Sequence, residues 1–171
     1  FLEGTSEEIQ PVFEYSDLSK HLVIADFEVS NSFNINVDND PDITFKRTTD
    51  AAYGDFAGRI TLTEEKPEFT KTHFSKIERT TVFGGPVYLE LDYRNEVPFV
   101  VGILQEIPGG LFVENFKVEL SPQEDWNKVY IELTEFMSDT QFESFTILIG
   151  SSRSNSDLGS IWIDNVKLVH F

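Results

Sequence analysis

The sequence contains no cysteine and only one methionine. Without cysteine, neither a disulfide nor a thiolate metal site can form. Basic residues are scarce: 13 Lys and Arg stand against 30 Asp and Glu, for a formal net charge of -17. Nucleic acid and anionic membranes need clustered Lys and Arg, so this balance argues against both and fits neutral or cationic partners, divalent metals included. No apolar run is long enough to cross a bilayer as a helix, and no stretch reads as a secretory leader or a lipidation site. Neither an internal repeat nor a linker divides the chain.

What remains is a 171-residue chain, 40% hydrophobic, with sixteen Phe. That length suits one domain with a substantial core, and the richness in strand formers makes it all-β. Residues 1–20 are acidic and mixed, a leader that adds at most one edge strand through "PVFEY". Beyond them, short alternating segments recur between turns. "VIADFEV" places Val23, Ala25, Phe27 and Val29 on one face, and "VYLELDYR" does so with Val87, Leu89, Leu91 and Tyr93. "FKVEL", "VYIEL" and "FTILI" align Phe116, Val118 and Leu120, then Val129, Ile131 and Leu133, then Phe145, Ile147 and Ile149. "ITFKR", "FAGRITL" and the wholly apolar "PFVVGIL" add three strands, and "LTEFMS" is the one segment that suits a helical turn. About ten strands at this spacing predict an antiparallel two-sheet jelly-roll sandwich over residues 21–171.

Motifs for catalysis are thin. "ELDYRNE" sets Glu90, Asp92 and Glu96 on one strand, but a retaining glycosidase needs its carboxyls about 5 Å apart. Glu90 and Glu96 on an extended strand lie roughly 20 Å apart. His21, His73 and His170 are scattered, and "GSSRS" lacks the glycine spacing and following helix of a nucleophile elbow.

Metal ligation has two candidates. "DNDPD" places Asp38, Asp40 and Asp42 at alternate positions like the opening of a calcium loop, although Ile43 and Thr49 stand where an EF-hand needs Gly and Glu. An acidic turn accounts for it equally well. The second is the chain's end, "SIWIDNVKLVHF", where Ile161 and Ile163 alternate out of phase with Val166 and Leu168. A β-bulge at Asp164 and Asn165 produces such a slip and re-aims a side chain.

"ADFEVSNSF", "AAYGDFAGRITL", "GGPVYLELDYRN", "WNKVYIELTEF" and "GSIWIDNVKLV" together are similar to the galactose-binding-like jelly-roll family of carbohydrate-binding modules and bacterial surface lipoproteins. The similarity spans about residues 22–171 and lies in strands and hydrophobic positions. It implies a structural calcium where the first strand meets the last, with Glu28 and Asp164 carried over as ligands and backbone carbonyls completing the shell. Asp164 and Asn165 serving simply to cap or kink the last strand is the alternative.

The resemblance also implies glycan binding by exposed aromatics outside the core phase, namely Tyr53, Tyr88, Tyr130 and Trp162, beside polar groups. It implies an extracellular or outer-membrane-surface location. The expectation is thus a non-catalytic glycan-associated binding or accessory module whose partner is a polysaccharide or oligosaccharide. A structural or protein-interaction domain of the same fold is the alternative, and a polysaccharide-degrading enzyme using Glu90 and Asp92 is a third reading.

Overall fold

The structure is a computed structural model that describes residues 21–29, 36–37, 45–74, 76–78, 85–138, 141–152 and 159–170. The acidic leader and the Asp38, Asp40 and Asp42 turn lie outside these residues.

Among the described residues, twelve strands and one helical turn follow one another: β1 (His21–Ala25), β2 (Asn36–Val37), β3 (Lys46–Thr48), β4 (Ala57–Leu62), β5 (Glu68–His73), β6 (Ile77–Glu78), β7 (Val87–Asn95), β8 (Phe99–Ile107), β9 (Leu111–Leu120), β10 (Gln123–Glu132), α1 (Thr134–Ser138), β11 (Ser144–Ser152) and β12 (Gly159–His170). They form two antiparallel sheets, as the spacing of alternating segments predicts. The first runs β10-β7-β12-β4-β3 with β1 also paired to β12, and the second runs β2-β5-β11-β8-β9 with β6 also paired to β11.

Alternation explains the sandwich. Val87, Leu89, Leu91 and Tyr93 of β7 face inward, as do Phe145, Ile147 and Ile149 of β11, and all are buried. Phe99, Val101 and Ile103 meet them from β8. Phenylalanine fills one end of the core: Phe136 from α1 stacks on Phe142 with ring centres 4.6 Å apart, and Phe145 meets Phe136 edge-on at 5.2 Å. Such pairs add specificity to the burial that dominates the stability. Phe69 and Phe74 also belong to the core.

Two segments depart from simple alternation. In β1 the register shifts between Val23 and Ala25, so Ile24, Ala25 and Phe27 are buried whereas Val23 and Val29 are exposed. In β9 the register with β8 runs Val101 to Val118 and then Gly102 to Phe116, which skips Lys117. That bulge puts Phe116 on the outer face, 53% exposed, while Val118 and Leu120 stay inward. Phe116 therefore does not share the core phase that "FKVEL" suggests. Gly102 permits the close approach, because a Cβ there would lie 2.8 Å from the Asn115 carbonyl oxygen.

Candidate functional site

The phase slip at the chain's end is a bulge. β12 pairs with β4 from Gly159 to Ile163 and with β1 from Val166 to Val169, and its register with β7 shifts between Asp164 and Lys167. Asn165 absorbs the change with φ 52, and Phe27, just beyond β1, has φ 62. Asparagine tolerates the left-handed region well; phenylalanine does so only under tertiary constraint, here its fully buried ring.

Both distortions aim a carboxylate at one loop, residues 51–56 ("AAYGDF"). Asp164 Oδ2 accepts the amides of Ala52 and Tyr53 at 3.1 and 3.0 Å, and Glu28 Oε1 accepts those of Asp55 and Phe56 at 2.9 and 3.0 Å. Gly54 sits between them with φ 73, and a Cβ there would come 2.3 Å from Glu28 Oε1. Arg47 donates to the Glu28 backbone carbonyl at 2.8 Å and lies over the Phe56 ring. The two residues inferred as metal ligands are thus brought to one loop from positions 136 apart in sequence.

Asp164 is 1% exposed. Burial pushes its carboxyl up to about 6 from 3.8, with Asp92 adding to the rise and the amides of Tyr53, Asn165 and Ala52 opposing it. Asp92 is its cross-strand neighbour on β7. Two adjoining buried carboxylates are a setting that a divalent cation stabilises, and oxygen-only donors suit Ca2+. Among the described residues no group of three or more His, Asp or Glu side chains is placed to hold a metal ion, and Asp164 Oδ2 and Glu28 Oε1 each already accept two loop amides.

Beside this loop, the acids of β7 on the outer face of the first sheet are paired. Glu90, 1% exposed, meets Lys128 at 2.6 Å and Lys167 at 3.0 Å. Burial raises its pKa, but hydrogen bonds from both lysines outweigh this and hold it below the ordinary carboxylate value. Asp92 accepts from Asn165 Nδ2 at 3.2 Å and lies 3.6 Å from Lys128. A row of rings and guanidiniums crosses four strands: Arg94 lies 4.1 Å from the centre of Trp162 and 5.9 Å from that of Trp126, and Arg59 lies 4.9 Å from Trp162. Asp50 ties the row together, pairing with Arg94 and accepting from Trp126 Nε1.

The proposed glycan aromatics scatter over this side. Tyr53 is 77% exposed on the anchored loop and Tyr130 50% exposed on β10; Tyr88 is half-buried on β7; Trp162 is only 6% exposed beneath its arginines. The register places Tyr88 opposite Glu132 and Tyr130 opposite Glu90, so no two of these rings are direct cross-strand neighbours.

The second sheet's outer face differs. A groove of about 660 Å³ opens there, lined by Phe116 with Glu68, Glu114, Glu119, Ser151 and Ser152 among its residues. Phe112 shares Phe116's outward row, opposite Glu106 as Phe116 is opposite Gly102. It is 62% exposed, and Leu111 and Val113 beside it are exposed as well. Sequence reasoning missed Phe116 because its apolar neighbours Val118 and Leu120 keep the same apparent phase across the hidden bulge.

No family model and no curated protein matches the chain. Solved structures do. A family 30 carbohydrate-binding module of a cellulosomal cellulase of Clostridium thermocellum aligns with TM-score 0.56 and 18% identity, over 88% of this chain and 97% of that one. A xylan-binding domain of family 22 aligns with TM-score 0.60 and 8% identity, over 90% and 96%. A family 29 module complexed with mannohexaose aligns with TM-score 0.50 and 18% identity, over 86% and 89%. The chain is a jelly-roll sandwich with the fold of carbohydrate-binding modules. The resemblance read from its sequence holds at the level of that fold.

Proposed function

We propose that the chain is a non-catalytic carbohydrate-binding module that works outside the cell and takes a polysaccharide along the groove of the second sheet. The outward turn of Phe116 into that groove carries the reading. An exposed ring supplies a stacking surface, and Glu114, Glu119 and the serines supply hydrogen-bond partners for hydroxyls. Phe112, roughly 13 Å along the same strand, offers a second ring for a longer chain. The fold shared with modules whose names specify xylan or mannohexaose supports the same substrate class. Catalysis by Glu90 and Asp92 fits poorly: a general acid needs a raised pKa, and Glu90 is held ionised between two lysines.

Calcium belongs to the proposal as a structural ion at Asp164 and Glu28, where it would fix the loop carrying Tyr53. The protein-interaction reading draws on the exposed tip of the β8–β9 ribbon, where Leu111, Phe112 and Val113 cluster.

Titration calorimetry with soluble xylan, glucomannan and mixed-linkage β-glucan tests the main reading. Saturable binding to at least one, weakened at least tenfold by Phe116→Ala, is expected. Binding that is indifferent to Phe116, or none to any glycan, would sink it.

A further inference from the structure

The first sheet carries a second groove that neither the calcium nor the Phe116 reading uses. It measures about 560 Å³ and is lined by Arg94, Glu96, Gln123, Glu124 and Trp162 with Asn95 and Pro122. It lies on the opposite sheet from the Phe116 groove, where β7 and β12 meet the start of β10.

Most polar groups around it are engaged. Glu96 Oε2 accepts the Ser160 amide at 2.8 Å, Asn95 Nδ2 donates to the Val97 carbonyl at 2.8 Å, and Arg94 pairs with Asp50. Asn95 Oδ1 and Trp162 Nε1 are exceptions, both buried without a hydrogen-bond partner, and Trp162 is the donor of the two. Its ring is held between Arg94 and Arg59, so its orientation is fixed, yet its Nε1 is buried and has no hydrogen-bond partner. A buried donor left unmade costs about 1–3 kcal/mol, and a fold retains such a group where something supplies the acceptor. The neighbouring rim mixes the Gln123 amide and Arg94 guanidinium as donors with the Glu124 carboxylate as acceptor.

From this arrangement we propose that the β7–β10–β12 groove is a second ligand site, taking one or two residues of a neutral hydroxyl-rich sugar whose oxygen accepts from Trp162 Nε1. Hydroxyls both donate and accept, which matches this mixed rim better than an anion, repelled by Glu96 and Glu124, or an apolar group, which leaves the indole N–H unmet. Both faces of the indole are covered by guanidiniums, so recognition here is by the ring's edge rather than by stacking. The inference rests on the reading that the chain binds glycan, though on a different sheet and with different residues. Two sites on opposite sheets would let one molecule bridge two polysaccharide chains and gain avidity.

The test follows the indole N–H resonances of the 15N-labelled protein, of which there are two because the chain has two tryptophans. Xylohexaose and mannohexaose are titrated in, with calorimetry for stoichiometry. Trp162's resonance is expected to shift saturably with one of them, at two sites per protein. Trp162→Phe, which keeps an aromatic ring and removes the N–H, should leave one site, and Phe116→Ala should leave the other. Gln123→Ala with Glu124→Ala provides a rim variant should Trp162→Phe fail to fold, with the same expected loss of one site. A single site lost in Phe116→Ala with an unmoved Trp162 resonance would overturn this inference and leave the proposed function standing. Binding lost only in Trp162→Phe would do the reverse. No shift and no heat with either sugar would overturn both.

Discussion

The two outer faces of this sandwich are built on opposite terms. On the first sheet, Glu90 is enclosed by Lys128 and Lys167, Asp92 by Lys128 and Asn165, and Trp162 by two arginines. On the second, Phe116 stands exposed beside carboxylates in an open groove, and Phe112 stands exposed farther along β9. The polar groups of the first face chiefly fix the position of its strands. The second leaves apolar area exposed to solvent, and binding free energy comes from surface of that kind. Charge alone does not distinguish them, since both faces are rich in acids.

The largest effect that tests this contrast lies in the ladder of the first sheet. Lys167→Ala strands Glu90 in a nearly dry site with one lysine, so urea denaturation should show about 3 kcal/mol of lost stability with little change in glycan affinity. A loss under 1 kcal/mol would mean that the face is less self-contained than its geometry indicates. Next comes the anchored loop. Gly54→Ala combines a positive φ with a Cβ pressed on Glu28, and a cost of about 2 kcal/mol is expected in the same assay.

On the second sheet, Phe116→Ala should change stability by less than about 0.5 kcal/mol while costing about 1.4 kcal/mol, tenfold, in affinity for the glycan that binds. That dissociation of folding from binding is the sharpest form of the comparison.

A smaller effect follows pH. Asp164 holds its proton more tightly in the folded chain, near 6, than at its ordinary 3.8. Its contribution is therefore complete below pH 3.8 and is lost as pH rises through about 6. A change of about 1 kcal/mol is expected between pH 5 and 7, abolished in Asp164→Asn. Calcium should reverse the trend at pH 7 by favouring the carboxylate, raising the melting temperature there more than at pH 5. A pH-independent calcium effect would place the ion elsewhere.

The strands were legible because alternation of Val, Ile, Leu and Phe with polar residues is what one buried face per sheet requires. The bulge at Asp164 was legible for the same reason: the apolar pairs on either side of it fall out of phase. The bulge at Lys117 left no such mark. Phe116 continues the phase of Val118 and Leu120, so an exposed ring and two inward residues look alike in sequence, and only the register with Gly102 separates them. The exposure of Val23 and Val29 escaped alternation too, since β1 changes phase within two residues. Loop anchoring by Glu28 and Asp164 joins positions distant in sequence, and no local pattern encodes the four amides they hold.

The row of rings on the first sheet has a practical consequence for anyone measuring this protein by light. The chain has two tryptophans, and Arg94 lies within 6 Å of both ring centres. Intrinsic emission excited at the indole band therefore samples one patch of one sheet. Ligand entering beside Trp162 should alter the spectrum, whereas ligand on Phe116 should be dark, and a silent fluorescence titration would say nothing against a fully occupied second sheet.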